Sequence, residues 1–187
     1  LIDKNEDINI LKKKYDYIYS IKDIDGTILK LPRVIDKYKK TYNKEVLVGE
    51  IGYFNNHKSC ITDTSFNVVN SYTVAFLHSL GAERVTLSYE LTKKQIEILI
   101  KAYEERYKAN PNLELVVEGY EEVMISKFSL NKYFNNDKIY LKDRFNNLYK
   151  IKERDNLMII YNYKKRKDFD LSYYDIGVNS LRINKEE

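Results

Sequence analysis

Apolar runs of strand length alternate along the chain with segments whose apolar positions recur every three or four residues. Residues 15–21 and 27–31 read as extended, and Pro32, suited to a first helical turn, opens a helix through Val34, Ile35 and Tyr38. Val46-Leu47-Val48-Gly49 predicts a short buried strand, and residues 61–66 predict another. Asn70 then suits a helix N-cap, Val74, Phe76, Leu77 and Leu80 supply apolar positions, and Gly81 supplies the stop. A strand at 84–88 follows. Thr92 with Gln95 three residues on has the spacing of a capping box, and Ile96, Leu99, Ile100 and Tyr103 fall along one helical face. Asn110-Pro111-Asn112 breaks that helix, and Leu-Glu-Leu-Val-Val-Glu at 113–118 enters as a strand.

This β-α-β-α order calls for parallel strands joined by helical crossovers, hence an α/β sheet or barrel and not a sandwich. After Phe128 the texture changes. Residues 139–144 and 148–153 flank Phe145-Asn146-Asn147, where Asn tolerates positive φ, which predicts a β-hairpin inserted over about residues 138–154. The chain closes with an apolar strand at 157–161, a basic loop, Lys164-Lys165-Arg166-Lys167, and a strand at 180–183. A length of 187 residues suits a single domain over 1–187.

Composition narrows the classes. Hydrophobic positions make up 43%, enough for a real core, while 6 Gly and 2 Pro exclude collagen-like and low-complexity chains. Lys and Arg total 32 against 28 Asp and Glu, a net charge of +4 that is compatible with a polyanion such as RNA without requiring one. Cys60, the single cysteine, excludes an internal disulfide, cannot supply the ligand set of a structural zinc or iron–sulfur site, and points to a reducing, cytoplasmic setting. No apolar run reaches the roughly 20 residues of a membrane span, and Leu1-Ile2-Asp3-Lys4 lacks the apolar core of a signal peptide, so no membrane partner is expected. A chain that begins without Met leads us to expect a barrel segment upstream of Leu1, or an oligomer partner in its place.

Parallel strands gather functional groups just after their C-terminal ends. Ser65 and Asn67 follow one predicted strand, Ser88 and Glu90 the next, and Glu118 and Gly119 a third, while Ser126 lies close behind Met124-Ile125. Each also has a structural use: Asn67 and Asn70 can shape a turn and cap a helix, Glu90 can favour a helix N-terminus, and Ser126 can hold a loop. Polar groups recurring at corresponding points of successive βα units single the set out. The expected arrangement is a pocket shared by Asn67, Glu90 and Glu118, with Arg144 offering a cation to an anionic group, and Ser65, Asn70, Ser88 and Ser126 contacting substrate. His57 and Cys60 lack the third group that a catalytic dyad or metal site needs, and His78 falls within a helix. A Gly-x-Ser-x-Gly elbow, a His-Glu-x-x-His pair and a phosphate-cradling Gly-rich loop are all missing, and no metal site is predicted. Residues 164–167 beside Tyr161 and Tyr163 mix cations with stacking surfaces, as single-stranded nucleic-acid sites do, although so short a run, like Lys12-Lys13-Lys14, also suits a solvated loop.

The run Asp63-Thr64-Ser65-Phe66-Asn67-Val68-Val69-Asn70-Ser71, continued by Leu80-Gly81-Ala82-Glu83-Arg84-Val85-Thr86-Leu87-Ser88-Tyr89-Glu90-Leu91, closely resembles the peptidase U32 family of collagenase-like proteins. The family pattern is D-x-S-x-N-x-x-N-S, then L-G-x-x-R-x-x-L-S-x-E-L. Leu31-Pro32-Arg33, Val116-Val117-Glu118-Gly119-Tyr120, Met124-Ile125-Ser126, Tyr140-Leu141-Lys142-Asp143-Arg144, Ile160-Tyr161-Asn162 and Ser180-Leu181-Arg182-Ile183 continue the match in order. The resemblance implies a TIM-like (β/α)8 barrel or its C-terminal portion. It also implies either a collagenase-like protease acting on a peptide or an oxygen-independent hydroxylation protein acting on tRNA, ribosomal RNA or the ubiquinone precursor. Those hydroxylation members hold an iron–sulfur cluster on four cysteines. Here Ser129 stands near the first such position, and residues 131–138 and 155–160 carry no cysteine for the others, so no cofactor is expected. The alternative to an enzyme is a cluster-less, catalytically degenerate barrel that retains substrate or partner binding.

Overall fold

The computed structural model describes residues 8–35, 37–39, 41–134, 139–154 and 156–185. Leu1–Lys4, positions 135–138 and Asp155, all used in the sequence reading, lie outside them. The chain forms two compact units, one of the described residues up to Val117 together with Phe169–Lys185, the other of Glu118–Asp168.

The first unit contains α1 (Ile8–Lys12), β1 (Tyr19–Ser20), β2 (Ile28–Lys30), β3 (Val46–Val48), β4 (Cys60–Thr62), α2 (Ser71–Leu80), β5 (Ala82–Thr86), α3 (Lys93–Tyr107) and the start of β6 (Leu113–Gly119). Strands β1 to β6 lie side by side in chain order, each parallel to the next. The final strand, β12 (Ser180–Ile183), joins β6, giving a mixed α/β fold with a curled parallel half-barrel sheet of seven strands.

Side chains alternate between the two faces of a strand, and the sequence uses that alternation consistently. Val46, Val48, Cys60, Val85, Leu87, Leu113, Leu115 and Val117 turn to one side, where they pack with Val74 and Leu77 of α2 and Ile96, Leu99, Ile100 and Tyr103 of α3. The opposite face carries a smaller apolar cluster of Tyr19, Ile28, Leu47 and Ile61. Helix ends follow local chemistry. The Asn70 side chain accepts from the Thr73 N–H at 2.9 Å, Gly81 turns at φ 112 with its N–H on the His78 and Leu77 carbonyls, and Thr92 and Gln95 close both bonds of a capping box.

Three local expectations are corrected. The described residues of 32–39 form no helix: the Tyr38 hydroxyl donates to Glu50 and its ring meets that of Tyr53 edge-on at 5.5 Å, contacts a helical path would break. The strand expected at 61–66 stops at Thr62, because the Asp63 carboxylate accepts the Thr64 N–H and caps a single 3-10 turn over Thr64–Phe66. The strand expected at 84–88 begins earlier and ends at Thr86, with Leu87 continuing only as an isolated bridge to Val68.

The second unit is antiparallel. It holds β7 (Glu122–Ser126), a short helix α4 (Asn131–Phe134), β8 (Tyr140–Lys142), β9 (Leu148–Arg154), β10 (Leu157–Tyr161) and β11 (Arg166–Lys167). Strands β7, β10, β9 and β8 form one sheet in that order, and β8 and β9 are the expected hairpin, with Asn146 at φ 68. The Asp143 carboxylate accepts the Phe145 and Asn147 N–H groups at 2.8 and 2.9 Å and so shapes the turn. Residues 164–167 are not a free basic loop: Lys165 pairs with Glu118 at 2.9 Å, Arg166 pairs with Asp168 at 2.9 Å and Glu121 at 3.7 Å, and β11 runs antiparallel along the end of β6. Among the described residues no helix is long and apolar enough to cross a membrane.

Removing the cap with Asn70→Ala is expected to destabilise the first unit by about 1 kcal/mol. Gly81→Ala is expected to cost about 1–2 kcal/mol, since its φ is 112 and a new Cβ would meet Lys58 Cβ at 3.1 Å. Urea unfolding followed by circular dichroism measures both, and wild-type midpoints would contradict these helix ends.

Candidate functional site

Period-two alternation turns charged residues, as well as apolar ones, to the face away from α2 and α3. Arg84 and Thr86 of β5 alternate with Val85 and Leu87, and Glu114 of β6 alternates with Leu113 and Leu115. Asp63, just past β4, Lys30 at the end of β2, Tyr19 of β1 and Arg182 of β12 meet them there. Asp63, Glu114, Arg84 and Arg182 are all buried, a placement that charged groups tolerate only when paired.

Arg182 is the hub. Its Nη2 donates to Asp63 Oδ1 at 2.5 Å, and its Nη1 lies 3.0 Å from Glu114 Oε1. Asp63 also receives the Lys30 ammonium at 3.2 Å and the Thr64 N–H at 2.8 Å. Glu114 accepts the Thr86 hydroxyl at 3.0 Å and the Tyr19 hydroxyl, with Arg84 Nη1 3.8 Å away. The Arg182 guanidinium lies 5.3 Å from the centre of the Tyr19 ring, and that of Arg84 lies 4.1 Å from the centre of the Tyr17 ring.

Burial pushes the Asp63 carboxyl up, but the Lys30 and Arg182 charges, with the Arg182 and Thr64 hydrogen bonds, outweigh it and hold the group well below the usual carboxylate range. Burial works against the Arg182 charge, and the Asp63 and Glu114 carboxylates more than compensate, raising its pKa further. Burial, then the Glu114 charge, raises the Tyr19 phenol, which stays a neutral donor. Both carboxylates are engaged in ion pairs. Three cations, Lys30, Arg84 and Arg182, face two carboxylates, Asp63 and Glu114. A cavity of about 610 Å³ opens beside them, with Tyr19, Glu114 and Arg182 in its wall.

The residues singled out from sequence are distributed more widely. Asn67, Ser88 and Glu90 do meet: the Ser88 hydroxyl donates to Asn67 Oδ1 at 2.6 Å and accepts the Glu90 N–H at 3.3 Å, with Asn67 in the left-handed region at φ 48. Ser65 donates to the Gly49 carbonyl at 2.6 Å, and Asn70 caps α2. In the second unit Glu118 pairs with Lys165, Ser126 accepts the Phe128 N–H at 3.0 Å, and the Arg144 guanidinium lies 4.7 Å from the centre of the Phe145 ring in the hairpin turn. The His57 ring stacks on Tyr53 at 4.8 Å, and His78 Nδ1 lies 2.7 Å from the Ala82 carbonyl oxygen. In the sequence, Asp63 and Arg182 stand out only as members of longer runs. The signal that could have found them is a charged residue at an inward position of an apolar strand, as in Leu113-Glu114-Leu115 and Leu181-Arg182-Ile183.

A thiolate-held cluster does not fit these residues. Cys60, the single cysteine, is fully buried on the helix side of the sheet, where burial first, then the Glu83 and Glu45 charges, push its thiol up to about 12. Ser129 donates to both Glu153 carboxylate oxygens, at 2.7 and 2.8 Å. Among the described residues no group of three His, Cys, Asp or Glu is placed to hold a metal ion.

Asp63→Asn leaves Arg182 and Lys30 facing a neutral amide and is expected to lower stability at pH 7 by about 3–5 kcal/mol. The native Asp63 carboxyl binds its proton more weakly than the unfolded one. Wild-type stability from this group is therefore complete above about pH 5 and declines as the unfolded chain takes up a proton near pH 4. The amide variant lacks that component, so urea unfolding across pH 3 to 7 should show a shallower acid limb than in the wild type, and parallel limbs would contradict the pairing.

The comparisons with known proteins bear on the same segments. A family model described as Peptidase family U32 matches residues 11–164, which include Lys30, Asp63, Arg84 and Glu114. No curated protein and no solved structure matches the chain. The family match covers most of the sequence, and the chain belongs to peptidase family U32.

Proposed function

We propose that the half-barrel is the later part of a TIM-like (β/α)8 barrel and that this chain is a cluster-independent U32 protein that binds a substrate or partner on the inner face of the sheet. The observation that carries this reading is the position of Cys60, sealed in the apolar core on the far side of the sheet from the charged network. The hydroxylation chemistry that the family resemblance implies requires thiolates, and serine at position 129 cannot replace one. The collagenase-like activity requires an activated nucleophile or water. The buried charges next to the cavity are engaged in ion pairs instead, an arrangement suited to holding a ligand in register. A peptide or an RNA in a cytoplasmic setting remains the macromolecular substrate in view, and an upstream segment or a second chain is the element that would complete the barrel.

Anaerobic reconstitution with iron and sulfide is expected to leave no stoichiometric charge-transfer absorption on the protein, and a stable cluster would overturn the reading. Incubation with gelatin and casein should show no cleavage that follows the protein through purification, and cleavage that does follow it would restore the peptidase assignment.

A further inference from the structure

The cavity of about 610 Å³ is bordered on one side by residues 14–19, which lead into and begin β1, and on the other by residues 179–183, which lead into and form β12. It reaches as far as Glu114 on the inner face. Neither border skips a residue. A cavity lying flat against a sheet would meet every second side chain, because successive side chains point to opposite faces. Contact with each residue in turn places this cavity along the edges of the two strands.

Those edges carry no strand. Among the described residues β1 pairs only with β2, and β12 only with β6. Along a strand, successive residues turn their backbone N–H and C=O groups to alternate edges. The Ile18 carbonyl accepts the Ile28 N–H of β2 at 2.8 Å, so the backbone groups of Tyr19 point the other way. The Asn179 N–H donates to the Leu113 carbonyl of β6 at 3.0 Å, so those of Ser180 point away from β6. Tyr19 and Ser180 both border the cavity. Two strand edges on one cavity are a template for a further strand, which can pair along both of its sides.

That template selects a polypeptide, since a sugar–phosphate backbone carries no alternating row of N–H and C=O groups. Every described strand of this chain already spends at least one edge on a neighbour, whereas the inserted strand needs both, so a second copy does not supply it from those strands. Tyr15, Phe169 and Tyr174, all exposed, line the same cavity and offer ring surface to the apolar side chains of the incoming segment.

We propose that the cavity between β1 and β12 binds an extended peptide segment of a separate protein, about five residues of which join the sheet between the two edges. This rests on the reading of the chain as a binding protein and states what its partner contributes.

Nuclear magnetic resonance of the full chain with a panel of blocked hexapeptides, alternating Val or Tyr with Thr or Ser, tests the assignment. Binding is expected to shift resonances on both borders, 15–19 and 179–183, and to slow exchange of the Ser180 amide about ten-fold or more. N-methylating alternate residues of the tightest peptide keeps its side chains and removes its donors along one edge, and should weaken it about ten-fold or more. Ser180→Pro removes the outward N–H at the first residue of β12, a position where proline is tolerated, and should weaken the peptide by a similar factor, with circular dichroism checking the fold. Failure of every peptide to bind, shifts on one border only, unchanged affinity after N-methylation or in a folded Ser180→Pro variant, or tighter binding of a single-stranded oligonucleotide to these borders would each overturn the proposal. So would a dimer in sedimentation that slows Ser180 exchange without peptide, since the occupant would then be a second copy. None of these readouts involves iron, and a cluster on reconstitution would overturn the proposed function whatever the peptides do.

Discussion

The structure turns on Arg182, which reaches from the last strand to Asp63 at the end of β4 and to Glu114 on β6. Asp63 and Arg182 are 119 positions apart, with the whole antiparallel unit between them in sequence. A buried ion pair adds little to stability compared with an apolar replacement of the same volume, but it strongly penalises any arrangement that leaves one partner alone. A strand slipped by a single residue would turn Arg182 toward the leucine and valine layer beneath the helices. The guanidinium therefore acts chiefly on specificity, fixing which residues of β12 face inward.

The two faces of the sheet divide the work. The face toward α2 and α3 is apolar throughout its core, and the sole cysteine lies in it, packed as a small hydrophobic side chain. The opposite face supplies charge, hydroxyls and a cavity. The polar groups and the single thiol of this chain thus lie on opposite faces of the sheet.

What could be read from the sequence was what neighbours in the sequence decide. The Asn70 cap, the Thr92 and Gln95 capping box, the Gly81 stop and the Asp143–Asn147 turn each close bonds within four residues, and each was visible in the residue order or its turn signals. The strand-end rule picked out Asn67 and Ser88, whose side chains hydrogen-bond to each other, and Glu90, whose backbone N–H reaches the Ser88 hydroxyl. It missed the ion-pair network, because Tyr19 finds Glu114 95 positions away and Thr86 finds it 28 positions away, distances at which no local pattern operates. The segment after Pro32 failed for a related reason. Tyr38 obeys helical spacing, yet its ring and hydroxyl are claimed by Tyr53 and Glu50 from a later turn.

The pairing of β11 with the end of β6 sets Lys167 opposite Glu118, so the antiparallel unit is entered and left at adjacent points of the backbone. To the half-barrel, the entire segment Glu118–Asp168 is topologically a single connection between β6 and β12. Evolution could lengthen, shorten or exchange such a connection with little disturbance to the parallel strands on either side. The sequence and length of that connection are thereby free to diverge at a different rate from the strands that carry the charged inner face.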